Sequence, residues 1–95
     1  MKTAKLIEDI RYILFYKWDP IGVNNNKKLE NEYDDYIGKI ITILINENTI
    51  DNVAQYLYQI EQNEIGVTGD YYKCKEIAKE LQNLIDLEQK NSKIK

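Results

Sequence analysis

Hydrophobic residues recur every three or four positions in four stretches of the chain, which is the pattern of amphipathic helices. The predicted helices span residues 3–16, 31–47, 50 to about 63, and 71–88. Thr49 and Asp70 are predicted to cap the third and fourth helices, because a short oxygen-bearing side chain can accept a bond from a free backbone amide. The pattern therefore predicts an all-α fold.

The first two helices are joined by a long predicted loop, residues 17–30, which holds Trp18 and Pro20. Pro20 lacks an amide proton and disfavours helical backbone at the residue before it, so the first helix is expected to stop here. Trp18 and Ile21 are predicted to pack against the helices, and Gly38 to let another element approach the second helix closely. We predict one domain, residues 1–95, forming an antiparallel four-helix bundle with a polar, frayed tail at 89–95.

Charge is unevenly distributed along the chain. Residues 30–70 carry nine acidic residues against the single Lys39, whereas the whole chain has a net charge of −3. An acidic segment repels nucleic acid, whose binding depends on lysine and arginine at phosphates. It attracts a basic protein and speeds the encounter with it. We therefore expect a protein partner and no nucleic acid.

The side chains that most often perform catalysis are scarce. The sequence has no histidine and one cysteine, which leaves out the commonest general base and the thiolate zinc sites. Cys74 lies on the apolar stripe of the last helix and is predicted to be a small core residue. The four glycines do not have phosphate-loop spacing. We expect a protein that is not an enzyme and holds no cofactor or metal.

The acidic residues from Glu30 to Asp35 leave four interpretations open. They could bind a hard cation, although the calcium-loop pattern is missing. They could form a carboxylate pair for acid–base chemistry. They could be a solvated face at a helix N-terminus, where negative charge is favourable. Finally, they could contact a protein partner.

The chain contains eight tyrosines against one phenylalanine and one tryptophan. Tyr56 and Tyr58 fall partly off the apolar stripe of the third helix and are predicted to be exposed. Tyrosine is favoured at protein interfaces because it combines a large rigid ring with a polar tip. An AT-rich genome, which favours tyrosine codons, is the alternative explanation.

The sequence shows neither a membrane-spanning segment nor a signal peptide. No apolar run approaches the roughly 20 residues that a membrane-spanning helix requires. Glu8, Asp9 and Arg11 interrupt what would be the apolar core of a signal peptide. We therefore expect a cytoplasmic protein with no membrane association.

Several blocks of residues carry a family resemblance. They are Trp18-Asp19-Pro20-Ile21-Gly22-Val23, Glu32-Tyr33-Asp34-Asp35-Tyr36, Tyr56-Leu57-Tyr58-Gln59-Ile60-Glu61, and a glycine-containing turn before a cysteine-bearing last helix. Over residues 6–87 the chain resembles small helical bacterial proteins of the YugE-like family. It also resembles immunity proteins of contact-dependent growth inhibition and related polymorphic toxin systems.

The second resemblance implies a cytoplasmic protein that binds and neutralises a cognate toxin domain, often a nuclease. No contact residues are carried over from it, because such contacts vary with the toxin. The charge asymmetry and the off-stripe tyrosines instead predict the partner-binding residues, which are Glu30, Asp34, Asp35, Asp51, Tyr56, Tyr58, Glu61, Glu64 and Asp70. The alternative function is a non-enzymatic adaptor or homodimerising module. The free chain is expected to be a monomer or a weak homodimer.

Overall fold

The computed structural model describes residues 3–46, 49–66 and 69–93, and the side chains of 4–46, 49–63, 66 and 69–87. Every regular element within these ranges is helical, so the predicted all-α class is confirmed. The four α-helices are α1 (Thr3–Tyr12), α2 (Ile37–Asn46), α3 (Ile50–Gln59) and α4 (Tyr71–Lys93). Among the described residues, no helix combines the length and the apolar composition that crossing a membrane requires.

Two of the helices continue in π-helical geometry, in which hydrogen bonds span five residues instead of four. The segment Ile13–Trp18 extends α1, and the segment Ile60–Ile65 extends α3. Trp18 is therefore the last residue of a helix, and the prediction of a loop from residue 17 is wrong. The helix ends at Asp19, whose φ of 37° is left-handed and whose amide donates to the Leu14 carbonyl over 2.9 Å. Pro20 favours this ending because it disfavours α-helical backbone at Asp19.

The connection to α2 is built from turns and two short 3₁₀ helices, Lys27–Leu29 and Asp34–Tyr36. The predicted start of the second helix at residue 31 is therefore wrong, because regular α-helix begins only at Ile37. The Asp19 carboxylate organises the connection by accepting bonds from the Val23 amide at 2.9 Å, the Asn24 amide at 3.1 Å and the Tyr33 hydroxyl at 2.8 Å.

Both predicted helix caps are confirmed. Thr49 Oγ1 accepts from the Asn52 amide at 3.2 Å, and Asp70 Oδ1 accepts from the Lys73 amide at 3.1 Å. The expectation for Gly38 is wrong, because a Cβ there would meet nothing within 4 Å and no element among the described residues approaches it closely. Helix α4 extends to Lys93, and fraying of the tail at 89–95 stays a prediction.

The core is formed by the apolar stripes of all four helices and by the side chains of the first π-helical segment. Trp18, Leu14, Leu57, Leu81 and Cys74 are completely buried, which confirms the predicted core positions of Trp18 and Cys74. Ile21, in contrast, is 42% exposed, so its predicted packing is wrong. The core thus includes side chains from all four helices, and the most extensive contact between two elements is that of α3 with α4.

Candidate partner-binding surface

The predicted contact residues fall into two groups. Glu30, Asp34 and Asp35 lie in and beside the 3₁₀ helices before α2, and the others lie on α3, its π-helical extension and the start of α4. The side chain of Glu64 is outside the described residues. The two groups have different environments, and only some of their members are accessible.

Glu61 is not accessible. It is 3% exposed, its Oε2 accepts from Trp18 Nε1 at 2.7 Å, and its Oε1 accepts from the Asp70 amide at 2.9 Å. The expectation that Glu61 is a surface contact is therefore wrong. The sequence contained a signal for this position, because Glu61 lies four residues after Leu57 on the buried stripe of the third helix.

We call Trp18, Glu61, Cys74 and the Asp70 amide the Trp18–Glu61 node. It joins the end of the first π-helical segment and the start of the second to the first turn of α4. Burial raises the pKa of the Cys74 thiol to about 12, and the charge of Glu61 contributes to the increase. Cys74 is therefore an inert core thiol rather than a nucleophile.

Gly69 is required beside the node. Its φ of 89° is left-handed, and a Cβ on it would lie 2.9 Å from Tyr58 Cε1 and 3.3 Å from Glu61 Oε1. Any larger residue would be strained and would push against both side chains. The contacts of the node hold the α3–α4 connection in place.

The remaining predicted contact residues on α3 and at the start of α4 make some contacts within the molecule. Asp51 is exposed and lies 3.7 Å from Lys75 Nζ, a loose ion pair. Tyr56 and Tyr58 are half-buried, and the Tyr58 ring meets Tyr71 edge-on at a centroid distance of 5.7 Å. The predicted exposure of these two tyrosines is therefore only partial. Asp70 is exposed while it caps α4.

In the other group, Asp34 is engaged by a side chain that the sequence did not predict. Arg11 of α1 binds its carboxylate through Nε at 3.0 Å and Nη2 at 2.8 Å, and both side chains are half-buried. This hydrogen bond, together with the charges of Asp34, Glu30 and Glu8, raises the pKa of Arg11. Glu30 and Asp35 stay exposed beside this pair.

A groove of about 220 Å³ lies next to this ion pair. It contains exposed aromatic side chains, since Tyr12 is 56% exposed and its ring lies 4.8 Å from that of Tyr16. We call it the aromatic groove; its lining residues are Glu8, Arg11, Tyr12, Phe15, Tyr16 and Glu30. Sequence reasoning missed Tyr12, although the four-residue spacing of Tyr12 and Tyr16 places them on one helix face.

A second groove, of about 380 Å³, also borders Tyr12, but its charges are matched. Lys17 Nζ lies 2.6 Å from Glu80, and Lys5 Nζ lies 2.9 Å from Asp9. The hydrogen bond from Lys17 to Glu80 raises the pKa of the lysine. This groove carries no excess charge, in contrast to the aromatic groove.

Within the described part of the chain, no group of three or more His, Cys, Asp or Glu side chains is arranged to hold a metal ion. Comparison with known proteins gives no match to a family model, to a curated protein or to a solved structure.

Proposed function

We propose that this chain is a cytoplasmic immunity protein that neutralises a basic toxin domain, such as a nuclease, by covering its active site. The proposal includes an antiparallel order of the four helices and the absence of catalytic activity in the chain itself. It rests on the charge of the central segment and on the resemblance to immunity proteins. Carboxylates on the inhibitor would stand where the substrate phosphates lie in the toxin.

The observation that carries the proposal is that carboxylates of the acidic segment remain on the surface after folding. Glu30, Asp35, Asp51 and Asp70 are exposed, and among the described residues only Asp51 of these four has an ion pair, which is long. Exposed charges of one sign speed the association of oppositely charged proteins and give specificity. Because Glu61 is buried, it is removed from the proposed contact set.

The test is to capture the tagged chain from its native host and to identify the proteins that accompany it by mass spectrometry. We expect one basic toxin domain in a one-to-one complex, whose enzymatic activity falls to background when one equivalent of the chain is added. Recovery of the chain alone, or a partner whose activity the chain does not change, would contradict the proposal.

A homodimerising module is the second candidate, and exposed apolar side chains favour it. Tyr72 is 82% exposed, Leu87 59% and Ile45 49%. Sedimentation velocity over a hundredfold range of concentration would separate the two candidates. A dimer that persists at low micromolar concentration supports the module, and a monomer or weak dimer is what the immunity function requires.

A further inference from the structure

We propose that the aromatic groove receives an arginine side chain of the protein partner. The groove is distinct from the acidic residues of α3 and α4, and it adds Glu8, Tyr12 and Tyr16 to the contact surface. This inference deepens the proposed function by naming the chemistry of one partner residue, and it relies on that function only for the identity of the partner.

The electrostatic argument begins at Arg11, which faces more negative charge than it can neutralise. Asp34 binds the guanidinium in bidentate fashion, which balances its single positive charge. The carboxylates of Glu8 and Glu30 act on the same guanidinium through their charges, and both are exposed in the lining of the groove. Two negative charges are therefore in excess beside the groove, and a cation from outside would compensate them.

The aromatic side chains decide what kind of cation fits. Tyr12 and Tyr16 pack at a centroid distance of 4.8 Å, and Phe15 meets Tyr16 edge-on at 4.8 Å. Tyr12 and Tyr16 are 56% and 39% exposed and line the groove together with the two carboxylates, whereas Phe15 is 1% exposed. Arginine matches this combination, because its planar guanidinium stacks on aromatic faces and forms forked hydrogen bonds with carboxylates. An ammonium group is more strongly hydrated and lacks the planar fork.

The second groove supports the assignment by contrast. It shares Tyr12 with the aromatic groove and is larger, but its acidic residues Asp9 and Glu80 are each paired with a lysine of this chain. A cation that entered it would have to displace an existing ion pair. The aromatic groove is therefore chosen as the arginine site because of its unbalanced carboxylates, Glu8 and Glu30. Groove size and the presence of Tyr12 do not distinguish it from the second groove.

The experiment uses the full chain and a tetra-arginine peptide as the probe, followed by two-dimensional NMR of the tyrosine rings at low salt. We expect the peptide to shift the ring resonances of Tyr12 and Tyr16, and neutral tetra-citrulline to leave them unchanged. The double variant Glu8→Gln, Glu30→Gln should bind tetra-arginine about tenfold more weakly, since two exposed charge pairs are lost. Both substitutions are on exposed side chains, and thermal unfolding verifies that the variant is folded.

The matched control is Glu76→Gln with Asp86→Asn, which removes two exposed carboxylates from α4 and should change the affinity less than twofold. Equal binding by the groove variant and the wild type would overturn the inference, as would equal shifts with tetra-citrulline. Equal affinity for tetra-lysine would overturn the choice of arginine. None of these readouts requires the toxin. Arginine binding in the groove can therefore be disproved while the immunity function stands, and the immunity function can be disproved while arginine binding stands.

Discussion

Glu61 and Glu30 belong to the same acidic segment, yet the fold gives them opposite environments. Glu61 is buried and accepts hydrogen bonds from Trp18 and the Asp70 amide, whereas Glu30 is exposed at the rim of the aromatic groove. A count of charges along a sequence cannot distinguish the two. The comparison teaches that one carboxylate is bound inside the fold and the other remains on the surface.

The largest effect is expected from Glu61→Ala, which should lower the free energy of unfolding by about 3–5 kcal/mol. The substitution leaves Trp18 Nε1 and the Asp70 amide without their buried acceptor and also opens a cavity. Glu61→Gln keeps the size of the side chain and one of its two acceptor oxygens, so it should cost less than the alanine substitution. Urea unfolding followed by circular dichroism measures both. A loss below 1 kcal/mol in the alanine variant would show that the node is not structural.

Core truncation on α3 and α4 should come next. Leu57→Ala and Leu81→Ala are each expected to cost about 2–5 kcal/mol, because both side chains are completely buried and leave a cavity. The control is Leu87→Ala on α4, since Leu87 is 59% exposed. Its stability should change by less than about 0.5 kcal/mol. Similar losses at all three leucines would contradict the assigned helix faces.

The Trp18 side of the node can be tested separately. Trp18→Phe keeps an aromatic ring but removes the Nε1 donor, so the Glu61 carboxylate loses a buried partner, at a cost of about 2 kcal/mol. Tyr16→Phe is the control because its ring is partly exposed, and it should change the free energy of unfolding by less than about 0.5 kcal/mol. Denaturant midpoints of the two variants give the difference. Equal midpoints would mean that the hydrogen bond to Glu61 contributes little.

Alkaline pH should weaken the fold through Cys74. Its pKa is raised from an ordinary 9.0 to about 12, so above pH 9 the unfolded chain releases the thiol proton while the folded chain retains it. This stabilisation is complete below pH 9 and is lost as the pH rises toward 12. Burial raises the pKa of the Tyr33 hydroxyl in the same direction.

The free energy of unfolding at pH 8 and pH 10.5 measures this effect. Cys74→Ala is less stable at both pH values, but its loss of stability between them should be smaller than that of the wild type. Tyr33→Phe, which removes the Tyr33 hydroxyl, should also lose less stability between the two pH values than the wild type. If the loss between the two pH values is as large in both variants as in the wild type, neither group is responsible.

The smallest effects on stability should come from the exposed carboxylates. Asp35→Lys combined with Asp51→Lys should change the free energy of unfolding by less than about 1 kcal/mol, because both residues are exposed and the ion pair of Asp51 with Lys75 is long. Thermal unfolding checks this expectation. A large loss would place these residues with Glu61 among the structural carboxylates, and the distinction between the two classes would fail.

Helical spacing and cap chemistry were enough to predict the all-α class, the core position of Cys74, and the caps at Thr49 and Asp70. Trp18 was also predicted to be buried, although it was placed in a loop rather than at the end of a helix. These features depend on local sequence. The π-helical ends were not predicted, because an extra residue in a turn leaves no distinct pattern of apolar positions. The start of α2 was placed too early because Asp34 and Asp35 suit the first turn of an α-helix as well as a 3₁₀ turn.

The candidate surface was harder to predict than the core. The pair of Arg11 and Asp34 joins residues 23 positions apart, so no local rule reveals it. The burial of Glu61 could have been read from its position on the apolar stripe, but its charge argued for the surface. Tyr12 and Tyr16 follow helical spacing, and only the packing of the first π-helical segment shows that their rings stay accessible beside Glu30.

The most direct test of the account compares capture of the native partner by three forms of the tagged chain at low and moderate salt. The forms are the wild type, the variant Asp35→Lys with Asp51→Lys, and the variant Glu61→Gln. We predict that the wild type and Glu61→Gln recover one basic toxin domain in equal amounts, and that the charge-reversed variant loses most of it. Equal recovery by all three forms, or no partner with any of them, would contradict a function based on the exposed carboxylates.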